Sequence, residues 1–256
     1  MNQGKRSFGR YVSNYRRFLG DDITPERRFT TIEMFNIRQP YKRGTMESIN
    51  NEILNPWVSM WTKPRATIQQ IVDTNPERLV LVLAAIAGFS QALDRASMNS
   101  NGDTLEWPTI FLIAAIAGPI SGLITLYIGS ALIRWTGHWM SGNASSQNIR
   151  AAMAWSSVPI IWALILWIPA LILFGQELFT TEPPIIDATP SLILIFLGFA
   201  AIEITIGIWV IVVFLKCLGQ VQGFSAWKAL GNVFLAGLVV IIPIVIIVLG
   251  IAGLTR

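Results

Sequence analysis

The sequence predicts an all-α, polytopic membrane protein with about five spans, and three observations carry that expectation. Hydrophobic residues make up 53% of the chain against 13% charged, where an average soluble domain is about 25% charged. Too little polar surface remains to face water, so the chain needs lipid. Five apolar runs follow one another through the last two thirds of the sequence, and the charges between them alternate in sign.

The predicted elements run in this order. Residues 1–54 form a basic tail, and residues 55–256 a membrane domain. Within residues 5–19, Phe8, Tyr11, Val12, Tyr15, Phe18 and Leu19 recur at helical spacing, while Arg6, Arg10 and Arg17 fall opposite and Gly20 ends the pattern. Arg6, Phe8, Arg10, Tyr15 and Arg17 are therefore candidate membrane-surface residues of an amphipathic helix on anionic lipid. A basic tail without regular structure is the alternative. Residues 1–20 lack the apolar core of a cleavable signal, so insertion is expected to start at an internal span. An interfacial helix is expected over 55–72, where Trp57 and Trp61 precede Lys63-Pro64-Arg65 and Ile68, Ile71 and Val72 recur helically.

Spans are expected at 76–93, 109–133, 151–175, 191–215 and 233–254. The first is short in apolar residues, but Asn75-Pro76-Glu77 supplies an N-cap, a proline and an early acid ahead of it. A span needs about 20 residues at a rise of 1.5 Å, and the other four runs reach that. Pro119, Pro159, Pro169 and Pro243 lie inside spans and predict kinks.

Charge sets the expected orientation. Thirteen of the nineteen Lys and Arg precede Leu79. The loops 134–150 and 216–232 each carry two basic residues and no acid, whereas 94–106 and 176–190 each carry three acids, with Arg95 the one basic residue between them. The positive-inside rule then puts the N-terminus in the cytoplasm and the C-terminus outside, in a cell (cytoplasmic) membrane.

Glu203 stands near the middle of the fourth span, where a carboxyl costs about 2.5–3.5 kcal/mol and should face the bundle. Counting inward from the flanking charges puts Ser121 and Gln91 at the same depth, so Glu203, Ser121 and Gln91 form a candidate intramembrane polar cluster. Such a group serves as a neutral brace between helices, as part of an ion or proton pathway, or as a partner contact. Small residues recur every four positions, Ala84, Gly88 and Ala92 in the first span and Ala114, Gly118 and Gly122 in the second. They are candidate helix-packing residues, because close backbone approach drives association in lipid.

The chemistry-bearing motifs of enzymes are missing. His138 is the sole histidine and Cys217 the sole cysteine, which excludes paired metal ligands of the zinc-protease type and an internal disulfide. There is no phosphate-binding glycine-lysine loop and no nucleophile elbow. Ser156-Ser157 ahead of Pro159 looks like a nucleophile pair, but serines within spans bond the preceding turn. Cys217, beside Lys216, reads as an inert small residue or a lipidation site. No catalytic residue, cofactor site or metal site is expected, and no nucleic-acid partner.

Four short segments carry a resemblance: Asn55-Pro56-Trp57, Lys63-Pro64-Arg65 with Ile68, Ala154-Trp155-Ser156-Ser157-Val158-Pro159, and Gly223-Phe224-Ser225-Ala226-Trp227-Lys228-Ala229. In order and spacing the chain resembles the prokaryotic branch of the Yip1 domain family from about residue 55 to its end. The resemblance implies five spans with a cytoplasmic N-terminus. Eukaryotic members bind Rab GTPases, but their aspartate-leucine-tyrosine-glycine-proline signature is absent here, so a Rab-type partner is not expected. Some prokaryotic members look like accessory proteins of transporters.

The expected function is therefore a non-enzymatic membrane scaffold or accessory protein, with membrane lipids and another membrane protein as partners. The alternative is a small transporter or flippase using Glu203 and the kinked helices. The alternative needs a water-reachable cavity at the depth of Glu203, whereas a dry, packed midplane favours the scaffold. Reporters fused at Ser145 should read cytoplasmic, and those at Asn101, Glu182 and the C-terminus extracytoplasmic. A cytoplasmic C-terminus would remove one span and sink the topology.

Overall fold

The computed structural model describes residues 53–254, and all regular structure within them is helical. The five candidate membrane-surface residues, Arg6, Phe8, Arg10, Tyr15 and Arg17, lie outside the described residues. The helices are α1 (Pro56–Thr62), α2 (Pro64–Thr74), α3 (Val80–Met98), α4 (Trp107–Trp139), α5 (Ser146–Ser156), α6 (Val158–Phe174), α7 (Pro184–Ala188), α8 (Pro190–Gln222) and α9 (Ala226–Leu254). Single 3-10 turns cover Asn101–Asp103 and Gly175–Phe179. Five stretches are long and apolar enough to cross a bilayer: Val80–Met98, Trp107–Trp139, Ser146–Phe179, Pro190–Gln222 and Ala226–Ala252. Short connections make successive spans antiparallel. Arg78, Arg134, Arg150, Lys216 and Lys228 gather at one end of the bundle, here called the basic end, and Asp103, Glu106, Glu177, Glu182 and Asp187 at the other, the acidic end.

The helix starting at residue 76 is not formed. Asn75 Oδ1 accepts from the Glu77 amide at 3.0 Å, Arg78 and Val80 amides donate into the turn, and Leu79 takes a left-handed conformation (φ 56°) before α3 begins at Val80. Local Asx and proline turn chemistry outcompetes the cap it resembles in sequence. The helix then continues past Leu93 to Met98, so Asp94 lies within a span rather than in a loop.

The expected interfacial helix is two helices built into the bundle. Asn55 Oδ1 caps α1 by accepting from the Trp57 amide at 3.2 Å, and Pro64 starts α2 at the break. Met60, Ile68 and Ile71 are buried against Val213 and Cys217 of α8 and Ala151, Ala152 and Trp155 of α5. Cys217 Sγ sits 3.6 Å from Met60 Sδ and 3.7 Å from the Pro64 carbonyl. Burial there leaves the thiol no route to a lipid donor.

The third span is not one kinked helix but two helices separated at Ser157. Pro159 falls in the first turn of α6, where its missing N–H removes no hydrogen bond, and both Ser156 and Ser157 hydroxyls donate to the Met153 carbonyl, at 2.8 and 3.2 Å. Those serines bond the preceding turn, as their place in a span implied. Pro119, Pro169 and Pro243 lie inside continuous helices.

α5 is the centre of the basic end. Ile149, Ala151, Ala152, Ala154 and Trp155 are buried, because small residues let α2, α3, α4 and α8 close around it. Trp155 Nε1 donates to the Arg78 carbonyl at 3.2 Å, which the turn before α3 leaves without a helical donor, and Trp57 meets the indole edge-on at 5.9 Å. Trp155→Phe should lower stability by about 1 kcal/mol through the lost hydrogen bond. Trp155→Ala should cost about 3–5 kcal/mol through the cavity. Detergent thermal melts would check the order; an unchanged melt of Trp155→Phe would mean the indole N–H contributes nothing.

Candidate functional site

The site is set by the two faces of α3. At about 100° per residue, Ala84 and Gly88 lie on one side, and Ser90, Asp94 and Ser97 on the other. The first side packs on α4. A Cβ built on Gly88 would strike the Gly118 carbonyl and come within 2.7 Å of Gly122 Cα; one on Gly118 would come within 2.6 Å of Phe89 Cα; one on Gly122 would strike the Ala84 carbonyl. The two backbones touch, and no side chain fits between them. Ala114 is buried further along α4, and Ala92 is half-buried.

With that side committed, Ser90, Asp94 and Ser97 face away from α4, towards α6 and α8. A cavity of about 290 Å³ lies there, with Glu203 of α8 lining it across from them. Its walls include Trp167 of α6 and Phe196, Phe199 and Ile206 of α8. Asp94 and Glu203 thus line one cavity from two different spans. Neither makes a hydrogen bond or ion pair among the described residues. Ser97 Oγ donates to the Leu178 carbonyl at 2.6 Å, but Ser90, only 2% exposed, has no partner.

The Glu203–Ser121–Gln91 cluster expected from depth is not formed. Ser121 Oγ donates to the Gly118 carbonyl of its own helix at 2.9 Å. Gln91 lines a separate, smaller space with Gly122, Thr125 and Ser157. Depth along a helix does not fix rotation about its axis: Gln91 faces α4 and α5, whereas Asp94 faces α8. The sequence places Asp94 in a loop, so the face it shares with Ser90 and Ser97 shows only once α3 runs on to Met98; their helical spacing is the signal in the sequence.

Below the cavity the acidic end is tied by side chains. Gln176 Nε2 donates to the Gly102 and Leu105 carbonyls at 2.7 and 2.8 Å, and its Oε1 accepts from the Trp107 amide at 2.7 Å. Glu177 accepts from the Ile185 and Ile186 amides, both at 2.8 Å. Asp103 accepts from Thr181 Oγ1 at 2.7 Å and the Thr181 amide at 3.0 Å, which holds its carboxyl below the usual range. Phe179, fully buried, stacks on Trp167 with ring centres 5.7 Å apart and joins this cap to the cavity wall.

No group of three or more His, Cys, Asp or Glu among the described residues is placed to hold a metal ion. His138 is exposed at the end of α4.

The Yip1 domain family model matches residues 58–249, most of the chain. The chain belongs to the Yip1 domain family. Neither a curated protein nor a solved structure matches it. The segments that carry the Yip1 resemblance meet at the basic end rather than at the cavity. Trp57 lies on Trp155. Gly223 ends α8 in a left-handed conformation (φ 73°), the Phe224 amide returns to the Gly219 carbonyl at 2.6 Å, and Ser225 Oγ caps α9 by accepting from the Lys228 amide at 3.2 Å. Asn232 then accepts from Thr136 Oγ1 at 2.6 Å and donates to the Ile133 carbonyl at 3.2 Å, both partners on α4. The Yip1 motifs thus build the platform from which the spans descend.

Gly118→Leu should force α3 from α4 and destabilise the protein by about 1–3 kcal/mol or more, whereas Gly198→Leu, with open space around it, should melt as wild type. Equal melting of both would show that the helix contact does not limit stability. Asp103 gives a pH signature. Its folded pKa lies below its ordinary value of 3.8, so its contribution is present above that value and lost as pH falls through the lower, folded one. Asp103→Asn should remove this acid limb and speed amide exchange at Thr181; an unchanged acid profile would count against the tie.

Proposed function

We propose that this Yip1-family chain is a non-enzymatic accessory or scaffold protein of the cell membrane, its basic end in the cytoplasm, which holds a second membrane protein against α9 and the adjoining part of α8. One observation supports it. From Val240 to Ile251 every residue of α9 is exposed around the whole helix, and among the described residues no other helix covers this stretch. Cβ atoms built on Gly198 and Gly207 of α8 and Gly237 and Gly250 of α9 meet nothing within 4 Å. Glycine weakens a helix by about 0.8–1.0 kcal/mol relative to alanine, and the glycines of α3 and α4 repay this by backbone contact. Gly198, Gly207, Gly237 and Gly250 have no such use among the described residues, and close approach by another helix supplies one. The basic loops suit contact with anionic lipid at the basic end.

The cavity beside Glu203 supports a second reading, a small transporter or flippase. That reading stands second, because binding alone does not move a substrate.

Photocrosslinking from Val245 and Gly250 in native membranes tests the first reading. One discrete protein adduct should recur at both positions and be absent from Ile172 of α6, which is 79% exposed. Lipid adducts alone at all three positions would overturn it.

A further inference from the structure

We infer that the cavity between α3, α6 and α8 binds a primary ammonium group carrying a small apolar substituent. This goes beyond the accessory reading and does not rest on it.

Three polar side chains line the cavity without a hydrogen-bonding partner among the described residues: Asp94, Glu203 and Ser90. The serine is the sharpest of them. The residue is 2% exposed, and its hydroxyl makes no bond to the preceding turn and is open to the cavity. A polar group on a mostly apolar wall is favoured by a hydrogen-bonding partner, so an occupant that supplies donors is favoured. Two carboxyls on one small space add a demand for positive charge.

Size then separates the cations. A single water needs only about 10–15 Å³ of such space, and a bare metal ion is no larger, whereas this cavity holds about 290 Å³. Small-molecule sites begin near about 300 Å³ and are mostly apolar with a few convergent polar groups, which describes this one. An ammonium has three N–H donors for three acceptors: the Asp94 and Glu203 carboxylates and the Ser90 hydroxyl oxygen. Trp167, Phe196 and Phe199 provide aromatic walls for the charge and its apolar substituent. Ser97, already bonded to the Leu178 carbonyl, closes the side towards the acidic end without competing for the ligand.

The ammonium has two possible sources, a free alkylamine or the headgroup of an aminophospholipid entering from the bilayer. Full-length protein in detergent would be titrated with radiolabelled n-hexylamine near neutral pH, with n-hexanol, sodium and calcium as competitors. We expect saturable binding of one molecule per chain that hexanol, sodium and calcium do not displace. Affinity should fall at least about tenfold in Asp94→Asn and in Glu203→Gln, the scale of one lost charge-assisted hydrogen bond, and less in Ser90→Ala. Asp103→Asn, a carboxylate outside the cavity, should bind as wild type.

Nanodiscs of phosphatidylcholine with and without phosphatidylethanolamine then identify the source. Weaker hexylamine binding in the ethanolamine-containing discs assigns the site to the lipid headgroup, and equal binding assigns it to a free amine. Melting temperatures establish that each variant is folded. Absence of binding, displacement by hexanol or by either metal ion, or full affinity in a folded Asp94→Asn, Glu203→Gln double variant would overturn the inference. Partner adducts from α9 are read in a different experiment, so either result can fail alone.

Discussion

The backbone contact between α3 and α4 is the constraint on which the rest of the bundle depends. In lipid, apolar side chains gain little by leaving one hydrocarbon for another, so helices associate through close packing and hydrogen bonds. Gly88, Gly118 and Gly122 allow an approach at which even a methyl group collides with a neighbouring carbonyl or Cα. That fixes the rotation of α3. Its opposite face, bearing Ser90, Asp94 and Ser97, then points at α6 and α8. The polar cavity is a consequence of the glycine contact on the other side of the same helix.

The two ends of the bundle are held by different means. At the basic end, α1, α2 and α5 bury a conventional core around Trp155, and small residues together with the break at Ser157 let α5 be enclosed by other helices. Buried polar groups there are mostly satisfied by other helices, as Thr136 and Asn232 show. Gln222 Nε2 is the exception among the described residues, pressed against Gly137 with no partner. At the acidic end the ties are single side chains reaching across loops, above all Gln176, Glu177 and Asp103. Between the ends, α8 and α9 are bare over much of their length. The largest buried core lies at the basic end, and broad exposed helix faces lie between the two ends.

The class of protein was legible because composition and span length are one-dimensional properties. Five apolar runs give five candidate spans whatever their packing, and the matched small-residue steps on α3 and α4 could be read from periodicity alone. The span ends were less legible. Asn75-Pro76-Glu77 has the composition of a helix start but folds as a turn, and Pro159, read as a kink, marks the start of a separate helix. In both cases the same residues suit two local structures, and packing around Trp155 selects one.

The candidate site divides along the same line. Sequence alone determined that Glu203 lies inside a span, that the chain carries no paired metal ligands of the zinc-protease type, and that helices α3 and α4 have small faces. Tertiary structure decided that Glu203 shares a cavity with Asp94 and Ser90 rather than with Ser121 and Gln91. The physical reason is rotation: residue counting gives depth along a helix axis, but the direction of a side chain depends on where that helix starts and what its other face touches. Leu79, turning left-handed, sets the first, and Gly88 against Gly118 sets the second.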